Sequence, residues 1–179
     1  MKRTRFAIVG KALLLLVIAI ALQTLVVSRI SVLGVTADTF VIFTIVMALS
    51  RGPLQGAIFG FFAGVVADVA FIQPLGVHAL VYVLVGYSVG TLVSRLGGVN
   101  ALGVFLIAAG AALSAQVLFG LFQFMMGPRA GFLTMLGTQM LPAAVLDALV
   151  TVPVYALLVR FRVVPASPVE PKTAGGVAE

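Results

Sequence analysis

Apolar residues fill this chain in runs of about 20, each long enough as a helix to cross a ~30 Å hydrocarbon core. Short polar or Gly/Pro breaks separate the runs. They predict six spans, at about 12–27, 36–50, 53–72, 74–92, 101–126 and 133–159, in one transmembrane domain over residues 1–162. The second is the shortest, so it begins earlier or crosses where the protein shields it. Pro53 suits the first turn of the third span, because its missing N–H would be unpaired there anyway. Pro142 predicts a kink in the sixth. Beyond Arg162, a Pro-rich segment of small and polar residues (163–179) reads as a disordered tail.

One stretch, Arg51 to Leu96, carries most of the detail. Gly52, Gly56, Gly60 and Gly64 stand at steps of four, and the next step lands on Asp68. Residues four apart share a ridge on a helix, so the glycines make a bare stripe. Lipid gives helices no hydrophobic reason to associate, so such a stripe serves close approach of a second backbone. Gly86 and Gly90 form a second small-xxx-small pair, the expected counter-surface. After a turn at Gln73-Pro74 comes His78, the only histidine.

Charge then gives the helices a direction. Of 11 Lys and Arg, only Arg29 and Arg129 fall on one side of a six-span arrangement, so both termini are expected inside. The opening Met-Lys-Arg-Thr-Arg resembles the start of a signal peptide. No cleavage site stands out after Val27, and the run reads as an uncleaved first helix. On this topology Asp38, Asp68, His78 and Asp147 collect toward the outer half. An ionisable residue within the membrane is by default a functional candidate. Asp68 and His78 either pair across their hairpin and fix its register, dock a partner, or titrate in a transport role.

Composition narrows the function. The chain is 62% hydrophobic and 9% charged, with mean hydropathy +1.25, against about a quarter charged in a soluble domain. This is a polytopic all-α membrane protein, and no loop between spans is long enough for a soluble domain. The net charge of +6 sits at span ends, as topology requires, and does not point to nucleic acid. Without cysteine there is no disulfide framework or thiolate metal site. One His and three membrane Asp make a poor transition-metal site. No cofactor is implied.

Gly86-Tyr87-Ser88-Val89-Gly90 spells a nucleophile elbow, but that chemistry needs a strained strand-to-helix turn and a histidine within reach. Here His78 lies ten residues, or ~15 Å, back along the same helix. An Asp68/Asp147 protease dyad lacks the expected setting around either Asp. Catalysis is not expected. Gly-Pro-x-x-Gly recurs at Gly52–Gly56 and Gly127–Gly131 without aligned flanks, and Ala108–Ala115 reads as ordinary close-packing material.

In order along the chain, Ala37-Asp38, Arg51-Gly52-Pro53, the stepped glycines, Phe61-Phe62, Asp68, Pro74-Leu75-Gly76, His78-Ala79-Leu80 and Gly86-Tyr87 resemble the rod shape-determining protein MreD family. Leu141-Pro142, Asp147 and Pro153-Val154-Tyr155 are similar to its last helix, although an Asn is more usual at position 147. The resemblance covers roughly residues 35–95 and 139–160. It implies a non-enzymatic scaffold or regulatory subunit of the bacterial elongation complex (the elongasome), a multi-pass protein of the inner membrane. Its implied partners are an MreC-like bitopic protein, a SEDS glycosyltransferase with its class B penicillin-binding protein, directly or indirectly, and the MreB cytoskeleton through the complex. The family's helical arrangement is similar to the S components of energy-coupling-factor transporters, which supplies the alternative of a vitamin-binding subunit. Such a subunit needs an outward pocket of aromatic and polar groups. The absence of Trp and the short outer loops speak against one.

Overall fold

A computed structural model describes residues 2–25, 31, 34–97, 99–126 and 131–165. The turn at 127–130, Arg29, Arg129 and the tail from 166 lie outside the described residues. The helices are α1 (Lys2–Leu25), α2 (Thr39–Arg51), α3 (Pro53–Ala70), α4 (Val77–Leu96), α5 (Ala101–Met126) and α6, which joins Phe132–Met135, a π-helical turn Leu136–Met140 and Leu141–Arg160. Among the described residues α3, α4, α5 and α6 each have the length and apolarity of a full span, and α1 and α2 supply shorter apolar segments. The chain is an all-α multi-pass membrane protein.

α2 is the axis of the bundle. Every side chain from Thr39 to Ser50 is buried, which suits a helix that is apolar on all faces. Its 13 residues span only about 20 Å, and α1, α3, α4, α5 and α6 all pack against it. The neighbours shield its ends from lipid, so α2 has no need to match the hydrocarbon thickness. The hydroxyl of Thr44 donates to the Phe40 carbonyl at 2.8 Å, so its own helix satisfies it.

A single residue links α2 to α3. Gly52 has φ +86° and ψ −174°, a region that side chains avoid, and it reverses the chain directly into Pro53. Gly52 therefore belongs to the turn and not to the helical stripe. A Cβ there would meet nothing nearer than Ser94 Oγ at 3.9 Å.

The remaining stripe forms a seam with α4. A Cβ on Gly56 would stand 2.7 Å from the Gly86 carbonyl oxygen. On Gly60 it would stand 2.4 Å from that of Tyr82, and on Gly64 2.3 Å from Ala79 Cα. From the other side, a Cβ on Gly86 would meet the Gly56 oxygen at 2.5 Å, and one on Gly90 the Pro53 nitrogen at 2.4 Å. The two antiparallel backbones touch along the whole hairpin. Gly56 and Gly60 also accommodate α2, through Ala48 and the Thr44 methyl. Since burial from lipid yields little hydrophobic gain, dispersion and Cα–H···O contacts at this distance hold the seam.

Two boundaries differ from expectation. α1 starts at Lys2, ten residues before the span read from the sequence, because a helix does not stop where its polarity changes. Residues 163–165 are not part of a loose tail: Val164 is buried at 3% exposure against the core. Lys11 Nζ donates to the Arg162 carbonyl at 3.0 Å, fastening the end of α6 to α1. At Pro142 the missing N–H is accommodated by the π-helical turn that precedes it.

Candidate functional site: a polar belt around the end of α2

The end of the bundle where α2 begins holds a belt of polar groups in an otherwise apolar protein. Asp68, the last rung of the glycine stripe, is fully buried. One of its oxygens lies 2.8 Å from His78 Nδ1 and accepts the His78 backbone N–H at 2.9 Å. The other accepts the Gly76 N–H at 2.7 Å. α4 starts after Gly76, whose φ of +102° suits glycine. Asp68 thus reaches from the end of α3 to the first amides of α4, where helix N–H groups lack internal partners. Two of its three bonds are to backbone.

Asp38 does the same for α2. As its N-cap it accepts from the N–H groups of Phe40 at 2.9 Å and Val41 at 3.3 Å. Its second oxygen accepts a hydrogen bond from the Tyr82 hydroxyl of α4. Its own N–H donates at 2.7 Å to Oδ1 of Asp147, on α6. Asp147 is fully buried, with the Gln116 side chain of α5 beside its carboxyl. Gln23 brings in α1: its Oε1 accepts from the Thr39 N–H at 2.9 Å and stands 2.6 Å from the Thr39 hydroxyl. α1, α2, α3, α4 and α6 each place a side chain in this network, and Gln116 of α5 stands beside Asp147.

α5 joins through a ring. The Phe119 and His78 ring centroids lie 4.3 Å apart at 34°, and Phe71 and Tyr82 flank the imidazole at 5.5 Å each. With Nδ1 engaged by Asp68, Nε2 is the ring nitrogen left over.

Each candidate named from the sequence now has a place. Asp38, Asp68, His78 and Asp147 converge on this belt, in two adjoining groups: Asp68 with His78, and Asp147 with Asp38. The carboxyls of Asp68 and Asp147 engage different partners. Gly56, Gly60, Gly64, Gly86 and Gly90 line the seam, and Gly52 makes the turn. Ser88 is exposed and turned away from the seam. Among the described residues no cluster of His, Cys, Asp or Glu has the makings of a metal site.

Sequence reasoning missed Tyr82 and Gln23, both buried. A signal for the first was present. His78, Tyr82, Gly86 and Gly90 also stand at steps of four, so α4 carries a ridge that mirrors Gly56, Gly60, Gly64 and Asp68 on α3. The belt also borders a cavity of about 340 Å³, with Asp38, His78, Tyr82, Gln116 and Phe119 among its walls. The short loops and lack of Trp speak against such a space; it lies between the helices and depends on neither.

Among curated proteins and among solved structures, none matches the chain at significance. The profile of the family described as rod shape-determining protein MreD matches residues 4–162, nearly the whole chain and every helix described above. This chain belongs to the rod shape-determining protein MreD family.

Proposed function

We propose that this chain is a non-enzymatic scaffold and regulatory subunit of the bacterial cell-elongation complex in the inner membrane. It binds an MreC-like bitopic protein and, directly or through it, the SEDS glycosyltransferase, the class B penicillin-binding protein and the MreB cytoskeleton. Family membership ties the chain to rod-shape determination; the finer reading draws on how its surfaces are used.

The observation that carries it is the contrast between occupied and unoccupied small-residue faces. The glycines of α3 and α4 are filled by one another. On α5 a Cβ at Gly110 would meet nothing within 4 Å, and Gly110, Ser114 and Ser88 border an open groove between α4 and α5. α5 is also the least enclosed of the four long helices, with 22% of its apolar window buried against 50% for α4. Small residues that face no partner among the described residues suit close approach by a partner's single helix.

Co-purification from membranes tests the reading. Recovery with an MreC-like single-pass protein is expected, reduced by Gly110→Leu without loss of folded protein. Recovery instead with an ATPase pair and a bound vitamin would sink it in favour of the transporter S component, the reading to which the cavity lends support.

A further inference from the structure

The cavity at the end of α2 is built from unlike materials. Phe71, Phe119 and Tyr82 give it aromatic walls, Asp38 and His78 give it ionisable ones, and the exposed Gly34, Thr36 and Gln139 mark its open side. At about 340 Å³ it falls within the range of small-molecule sites.

Among the described residues its charge is unbalanced. Asp38 lines it; Asp147, bonded to the Asp38 backbone, lies behind it, one turn past the lining residue Ala143 and beside the lining residue Gln116. Asp68 sits beneath His78. Against these three carboxyls the described residues at the cavity offer only His78, and among them no lysine or arginine lines it. Hydrogen-bonding capacity is open as well. Among the described residues Asp38 Oδ2 accepts the Tyr82 hydroxyl, which leaves one lone pair. Asp147 Oδ2, in a fully buried side chain, has among the described residues only the Gln116 side chain beside the carboxyl to answer it. A carboxylate in a low-dielectric site with few donors is costly, and a cation carrying N–H groups answers both the charge and the bonding.

We propose that this cavity binds a small organic cation with a protonated primary amine or guanidinium on an apolar or aromatic body. The N–H groups engage the Asp38 carboxyl, the Asp147 carboxyl behind it adds its negative charge, and the body lies against Phe71 and Phe119. A quaternary ammonium, without N–H donors, fits less well. The proposal rests on the cavity alone and stands whichever protein partners the chain has.

The test uses the full chain in nanodiscs of neutral phosphatidylcholine, with three probes of one shape: 2-phenylethylamine, 2-phenylethanol and 3-phenylpropionate. Binding is read by calorimetric titration against empty nanodiscs, which removes partition into lipid. The amine is expected to saturate one site per chain, with the alcohol and the acid at least about tenfold weaker, a difference of ~1.4 kcal/mol. Asp38→Asn and Asp147→Asn, which keep an acceptor for the N–H groups these residues hold, are each expected to weaken the amine by about tenfold. Equal binding of the three probes, or no saturable binding of the amine, overturns the proposal from the unaltered chain alone. So does amine binding that both Asn variants leave unchanged.

Discussion

The α3–α4 hairpin is held along its length and at its tip by opposite means. Along the seam, three glycines of α3 and two of α4 bring backbone against backbone. At the tip, one carboxylate gathers an imidazole and two amide N–H groups. The seam tolerates no added atom, because its stabilisation comes from many weak contacts that a single methyl would separate. The tip tolerates no missing atom, because each unpaired polar group in an apolar setting costs its full desolvation. Steric exclusion guards one region and hydrogen-bond accounting the other.

Substitutions that violate either rule separate the two. The largest effect is expected from Gly60→Leu or Gly64→Leu, where even the Cβ overlaps backbone atoms at 2.4 or 2.3 Å. A loss above about 3 kcal/mol, and no monodisperse protein in size-exclusion chromatography of a fluorescent fusion, is the expected result. Full recovery of folded protein would mean that the helices separate without penalty.

Asp68→Leu is expected to cost about 3–5 kcal/mol in thermal unfolding of the purified chain, as when one member of a buried pair is removed. Adding His78→Leu restores only part of this, because the N–H groups of Gly76 and His78 stay stranded. Complete rescue in the double variant would show that the side-chain pair, and not the backbone bonds, is what Asp68 serves.

Tyr82→Phe removes a single hydroxyl from Asp38 and is expected to cost about 1–3 kcal/mol in the same measurement. An unchanged unfolding temperature would mean that water replaces it. The smallest effect is expected from Gly110→Ala, which adds a methyl where nothing lies within 4 Å. A gain of about 0.5–1 kcal/mol follows from the better helix propensity of alanine. A marked loss there would erase the distinction between filled and unfilled glycines.

That distinction marks the limit of the sequence. Gly60 and Gly110 look alike in it, each a glycine in an apolar helix, yet one is enclosed by Tyr82 and Thr44 and the other is bare. Spacing distinguished them only through the run of four-residue steps, which Gly110 lacks. Asp68 and His78 stood out because an ionisable group in hydrocarbon demands an explanation. Tyr82 and Gln23 did not, since aromatic and amide side chains are common near span ends and carry no such penalty.

What the sequence determined by itself was the membrane, the helices and the seam. Hydrocarbon thickness, backbone hydrogen bonding and helical periodicity act on short segments and leave their mark in local spacing. Only the tertiary structure decided that α2 is the buried axis, that Asp38 and Asp147 meet through a backbone N–H, and that a cavity opens beside them. Those outcomes depend on residues 109 positions apart, and on space left between helices, which no local pattern records.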